Sequence, residues 1–188
     1  MADDSKDLLA KALGELRRLK QENKALKSLG GEPIAVVGMA CQFPGECTYP
    51  EAYWDFLAAG RSAIEPTPPD RAEGTAGGFG SYLKSTDQFD AAFFGISPKE
   101  AQSMDPQQRL LLELAWHAFE SGHLRADAWA GREVGVFVGM SGIDYALKLF
   151  APSNRAQIDP YFGTGSTQSP AAGRLSYYFK FNGPAMVV

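Results

Sequence analysis

Three short apolar runs, each with a glycine at its edge and set apart by helix-forming stretches, restrict this chain more than any other feature. They are Pro33-Ile34-Ala35-Val36-Val37-Gly38-Met39, Val134–Val138 closed by Gly139, and Ala185–Val188. Runs that are apolar at successive positions predict strands buried on both faces. Between them the pattern changes period. Residues 50–60 predict a helix with Trp54, Leu57 and Ala58 on one side. Residues 105–122 predict the strongest helix: Asp105 caps, Pro106 takes the first helical position, Leu110, Leu114, Ala118 and Phe119 mark a buried face, and Gly122 ends it. Residues 164–179 read as helical, with Pro170 near the start of the regular part, and the proline- and glycine-rich residues 61–82 read as loop. Strands alternating with helices place the chain in the α/β class. The sequence stops inside the third run, without the turn and neighbours a strand needs, so a truncated chain is expected.

A different texture precedes Glu32. Residues 5–28 contain no proline, one glycine (Gly14) and many Leu, Ala, Lys, Glu and Arg residues, and Gly30-Gly31 follows. Placing Leu9, Leu16 and Asn23 at heptad position a puts Ala12, Leu19 and Leu26 at d. Position g then holds Glu15 and Glu22, and e holds Lys20 and Lys27. In a parallel dimer those rows pair Glu15 with Lys20 and Glu22 with Lys27 of a second copy, and an Asn at a fixes register and two-strandedness. The alternative is an amphipathic helix packed on its own domain, where complementary g and e charges have no role. Three heptads are marginal alone, so the coil needs a larger dimer or a partner helix.

The charge is unevenly divided. Residues 1–30 carry seven Lys/Arg against five Asp/Glu, leaving 11 against 17 in the remainder, so a basic leader precedes an acidic body. The overall charge of −4 gives no sign of a nucleic-acid partner. No apolar run is long enough to span a bilayer, and the leader lacks a signal peptide's apolar core, so a cytoplasmic protein without membrane contact is expected. Cys41 and Cys47, the only cysteines, have no nearby histidine and signal neither a disulfide framework nor a metal site.

Several segments are more specific. Glu32 to Cys41 followed by Phe43-Pro44-Gly45, Phe89-Asp90-Ala91-Ala92-Phe93-Phe94-Gly95-Ile96-Ser97-Pro98-Lys99-Glu100-Ala101, and Met104-Asp105-Pro106-Gln107-Gln108-Arg109-Leu110-Leu111-Leu112-Glu113 through Trp116 and Glu120 occur in that order. Gly135 to Gly139, Gly163-Thr164-Gly165 and Ala172-Gly173-Arg174-Leu175-Ser176-Tyr177 complete the series. Together they resemble the ketosynthase domains of modular type I polyketide synthases, over nearly all of residues 32–188. The leader resembles the docking coiled coils that open such subunits.

The resemblance implies an α/β chain with a partial thiolase-like fold, the first half and incomplete, preceded by an N-terminal coiled-coil helix. Residues 1–30 would be the docking helix and 31–188 the ketosynthase part, ending before the catalytic cysteine. The family's nucleophilic cysteine and both histidines of its triad are expected beyond Val188, so the chain alone would be inactive. The parent would catalyse decarboxylative Claisen condensation of acyl and malonyl-type thioesters carried on the phosphopantetheine of acyl carrier protein, with no cofactor bound directly. Implied partners are a second copy and the C-terminal docking helix and acyl carrier protein of an upstream subunit. The alternative is a non-catalytic docking scaffold with a remnant half-domain.

Other residues have plainer readings. His117 and His123 fit packing or surface roles, Cys41 small apolar packing, and Cys47 a passive loop thiol. Gly163-x-Gly165 with Gly173 lacks the spacing of a dinucleotide loop. Asp105 and Arg109, at i and i+4, predict an ion pair or a buried network, Arg174 an anchor to a neighbouring loop or subunit, and Phe93-Phe94 core or dimer contact. Replacing Glu15 and Glu22 with Lys should place like charges across the e and g rows. Sedimentation equilibrium of a peptide of residues 1–30 should then show weaker dimerisation, and unchanged dimerisation would refute the register.

Overall fold

The computed structural model describes residues 11, 13–24, 33–71 and 78–188. The chain divides into two compact units, Met1–Val36 and Val37–Val188. In the first, residues 13–24 form helix α1, an exposed helix with Leu13, Leu16 and Leu19 each about half accessible. Leu9, Ala12, Leu26 and Lys27 lie outside the described residues.

The second unit is built on a parallel pair, β3 (Val136–Val138) beside β4 (Ala185–Val187), in the register Val136–Ala185, Phe137–Met186 and Val138–Val187. Both strands fall where apolar runs predict them. Before them come α2 (Pro50–Ala58), a two-residue antiparallel ribbon of β1 (Glu65–Pro66) and β2 (Phe79–Gly80), α3 (Pro98–Ser103) and α4 (Pro106–Ser121). The crossover from β3 to β4 runs through α5 (Asp144–Phe150), α6 (Phe162–Ser166) and α7 (Pro170–Phe179). Met104, Leu112, Val138, Ala171, Ala172, Leu175 and Phe179 form the centre of the core, where α4 and α7 meet the sheet. Burying each large side chain there contributes about 1.5–3 kcal/mol. Phe94 belongs to this core, whereas Phe93 is half exposed and meets Trp116 edge-on at 4.8 Å.

Four expectations need correction. Residues 33–39 form no strand: Ile34 is 93% and Val36 75% accessible, and Met39 instead exchanges two 2.8 Å hydrogen bonds with the Ser121 hydroxyl. Composition suits a strand there, but backbone pairing needs a neighbouring strand, and the described residues pair no other strand with β3 or β4. The buried line of α4 is Gln108 and Leu112, with Leu110 and Leu114 only half-buried. Counting apolar residues alone misplaces this face because Gln108 is polar. The stretch 164–179 is two helices, broken at residues 167–169, with Pro170 opening α7. Within 61–82, β1 and β2 interrupt the expected loop.

The two ends of α4 follow the sequence. The Asp105 carboxylate accepts from the Gln107 N–H at 2.8 Å, and Gly122 closes the helix. Glycine is also required where α6 crosses the start of α4: a Cβ on Gly165 would lie 2.1 Å from the Ser103 carbonyl oxygen. On the half-buried flank of α4, desolvation pushes the Glu113 carboxyl up from the ordinary 4.5, against the pull of His117 and Arg109. A raised folded-state pKa means the folded chain holds the proton more tightly, so Glu113 loses stability as pH rises from the unfolded value through the folded one. Glu113→Gln should therefore raise the melting temperature at pH 7, with the gain shrinking as pH falls below 4.5. Paired thermal melts across that range check it, and a gain unchanged with pH would contradict it.

Candidate functional site

A buried polar network joins the segments that flank β4. Gln108, 1% accessible, donates from Nε2 toward the carbonyl oxygens of Thr164, Gly165 and Thr167 at 3.2, 3.0 and 2.8 Å. Its Oε1 accepts from Arg174 Nε at 2.8 Å, and Arg174 Nη1 reaches Glu100 Oε1 at 2.5 Å. One amide thus fastens α4 to α6 and the turn after it, while Arg174 ties α7 to α3. The Asp105 N–H adds a 2.8 Å bond to the Gly165 oxygen. Arg174 anchors a neighbouring segment, as the sequence predicts. Sequence reasoning misses Gln108, although its place four residues before Leu112 on a capped helix is a usable signal.

The expected Asp105–Arg109 pair does not form. Asp105 is buried and turned to the helix N-terminus, where it caps, and among the described residues Arg109 makes no ion pair. The Arg109 Nε is buried without a hydrogen-bond partner.

The candidate nucleophiles are unsuited to acyl transfer. Cys41 is half-buried, and burial first, then Cys47 and Glu51, push its thiol up from the ordinary value, so little thiolate is present at neutral pH. Cys47 is buried in the turn closed by the Phe43–Cys47 bridge, its Sγ 3.7 Å from the Gly45 oxygen. His117 is exposed and bonded through Nδ1 to Glu120 at 3.0 Å, which with Trp116 holds the Glu120 carboxyl below its ordinary range. His123 is exposed just past the helix. Neither histidine reaches a cysteine in these bonds. Among the described residues no group of three or more His, Cys, Asp or Glu could hold a metal, and no helix is long and apolar enough to cross a membrane.

On α1 the structure shows Leu16, Leu19, Glu15, Lys20, Glu22 and Asn23 in a single exposed helix. Arg18 sits between the two acids, 2.7 Å from Glu15 and 3.6 Å from Glu22.

The arrangement of strand, buried amide and crossover helices recurs in known proteins. Residues 31–188 match the family model described as "Beta-ketoacyl synthase, N-terminal domain". The chain belongs to the beta-ketoacyl synthase family. Its ketosynthase part is 42% identical over 170 residues to a phenolphthiocerol/phthiocerol polyketide synthase of Mycobacterium tuberculosis, covering 84% of this chain and 9% of that one. The pikromycin polyketide synthase component of Streptomyces venezuelae is 41% identical over 197 residues, 97% of this chain and 5% of that one. An oxazolomycin ketosynthase domain of Streptomyces albus superposes with a TM-score of 0.71 at 29% identity, covering 84% of this chain and 29% of that one. The ketosynthase from module 6 of the Bacillus subtilis bacillaene synthase gives 0.68 at 30%, covering 82% and 25%. The fold is therefore a partial thiolase-like α/β fold, and the chain spans under a tenth of the length of the relatives named.

Within this ketosynthase part, Gln108→Leu should leave three carbonyl oxygens and the Arg174 Nε without their partner. Each buried group left unsatisfied costs about 1–3 kcal/mol. Urea denaturation should show a lowered midpoint, and a variant as stable as the parent would remove the network from its structural role.

Proposed function

We propose that this chain is the amino-terminal part of a polyketide synthase subunit whose ketosynthase condenses an acyl thioester with a malonyl-type extender. The observation that carries the reading is the match of residues 31–188 to the ketosynthase family, alongside full-length synthase subunits at about two-fifths identity. In that chemistry a cysteine thiolate attacks the acyl thioester and releases the carrier thiol. The extender then loses carbon dioxide, and its enolate carbon displaces the enzyme thiolate to form the new carbon–carbon bond. Both substrates ride on the phosphopantetheine of acyl carrier protein. The nucleophile and its two histidines belong to the part of the domain following Val188, since neither cysteine of this chain sits beside a histidine.

The leader is assigned a second role. Residues 1–30 dimerise as a parallel coil through Leu9, Ala12, Leu16, Leu19, Asn23 and Leu26 and receive the C-terminal helix of an upstream subunit. The exposed leucines of α1 support this, because an isolated helix with an apolar stripe gains most from covering it. Arg18 holds Glu15 and Glu22 within the single helix, but exposed pairs of this kind are worth only about 0.3–0.5 kcal/mol. They exchange readily for Lys20 and Lys27 of a second copy. The subunit acts in solution in the cytoplasm.

Acylation separates this reading from a self-sufficient enzyme. Incubated with an acyl N-acetylcysteamine thioester, the 188-residue chain should show no acyl adduct by intact-mass spectrometry. The parent subunit should gain one, on a cysteine beyond Val188. An adduct on Cys41 or Cys47 would place the nucleophile inside this chain and overturn the assignment. A parent that continues as a synthase but takes no acyl group would leave the docking scaffold as its function.

A further inference from the structure

The charges of α1 are sorted onto opposite sides of the helix. Arg17, Lys20 and Lys24, all exposed, fall at i, i+3 and i+7. With 3.6 residues per turn they occupy an arc of about 60°, and Glu15 and Glu22 lie roughly 140–160° round from Arg17. Those acids face Arg18, and among the described residues Arg17, Lys20 and Lys24 make no ion pair. Leu13, 51% accessible, lies in the same arc, and Leu16 borders it. In the heptad register Arg17 and Lys24 are b residues and Lys20 an e residue. A second copy engages Lys20 through its Glu15, but the two b cations point outward from a dimer and do nothing for it.

We propose that the Arg17–Lys20–Lys24 row is the partner-reading face of the leader, and that it takes an acidic amphipathic helix of another polypeptide. This rests on the reading of the leader as a docking helix and adds the chemistry of what docks. Three cations at helical spacing beside leucines over the same turns fit a second helix carrying carboxylates at i, i+3 or i+4 and i+7 next to its own apolar stripe. A nucleic acid or an anionic membrane fits less well. Either reads charge over a broad face, whereas this row is about one residue wide, has acids behind it, and belongs to a chain of net charge −4. The row gives direction as well as attraction, since like charges opposed across it repel, so a basic or neutral helix of the same apolar pattern is rejected.

The test uses the full chain and a variant confined to the b positions, Arg17→Glu with Lys24→Glu, which the proposed dimer does not need. The probes are a fluorescein-labelled leucine-heptad peptide with a glutamate row, the same peptide with lysine in that row, phosphatidylserine vesicles and duplex DNA. The chain should bind the glutamate peptide by fluorescence anisotropy, more weakly as salt rises, and reject the lysine peptide. The variant should lose about tenfold in affinity for the glutamate peptide, as two exposed attractions turned into repulsions imply. It should also gain affinity for the lysine peptide. Gln at both positions, which removes charge without repulsion and keeps helix propensity, should give an intermediate loss. Equal binding of both peptides, an unaffected variant, no peptide binding, or binding to vesicles or DNA alone would overturn the proposal. Sedimentation of the same samples keeps the two readings apart: lost peptide binding with an intact dimer rejects the acidic partner only, and a monomeric wild type rejects the dimeric coil.

Discussion

The second unit depends on one buried amide. Apolar burial is strong but without direction, so α4, α6 and α7 could meet over the sheet in several offsets at similar hydrophobic gain. The Gln108 side chain removes that freedom, since its NH₂ group is met by three carbonyl oxygens and its oxygen by Arg174. Glu100 then neutralises Arg174, so the network is complete at both ends. In a low-dielectric setting a satisfied network fixes one arrangement, and a half-satisfied one costs more than none. Gly165 serves the same junction sterically, by allowing the backbone of α6 to reach the turn before α4.

The sequence was legible where a signal is local. Asp105, Pro106 and Gly122 set the limits of α4 through capping chemistry that needs nothing from the rest of the fold, and β3 and β4 appear at their apolar runs. It was illegible where a residue answers to a distant one. Residues 33–39 have a strand's composition, yet pairing is a property of two segments. Gln108 reads as a surface residue by type, and only the carbonyls of residues 164–167 make it a core residue. Asp105 had two uses open to it, capping and pairing with Arg109, and the cap won because a free N–H lies within one turn. The ordered motifs located the family without any of this, since they record which residues the fold needs rather than why.

The two units divide the labour differently. In Val37–Val188 nearly every polar interaction is spent on shape, and both cysteines are held among backbone oxygens or in half-buried packing. In α1 hardly any side chain is committed to the helix itself beyond Arg18 and its two acids. A helix with leucines half accessible and cations on one arc is organised for something outside it.

The parallel pairing of β3 with β4 has a kinetic consequence. A hairpin sets its own register through its turn, but parallel strands are joined only through the whole crossover, here α5, α6 and α7. With three residues in each strand, the ladder is too short to choose its own alignment, and a slip by one would turn Met186 to the opposite face. The alignment is therefore inherited from α7, whose position Arg174 takes from Gln108. During synthesis β4 emerges last of these elements, and it can settle only onto a helix pair already locked, so closure of the sheet waits on contacts far apart along the chain.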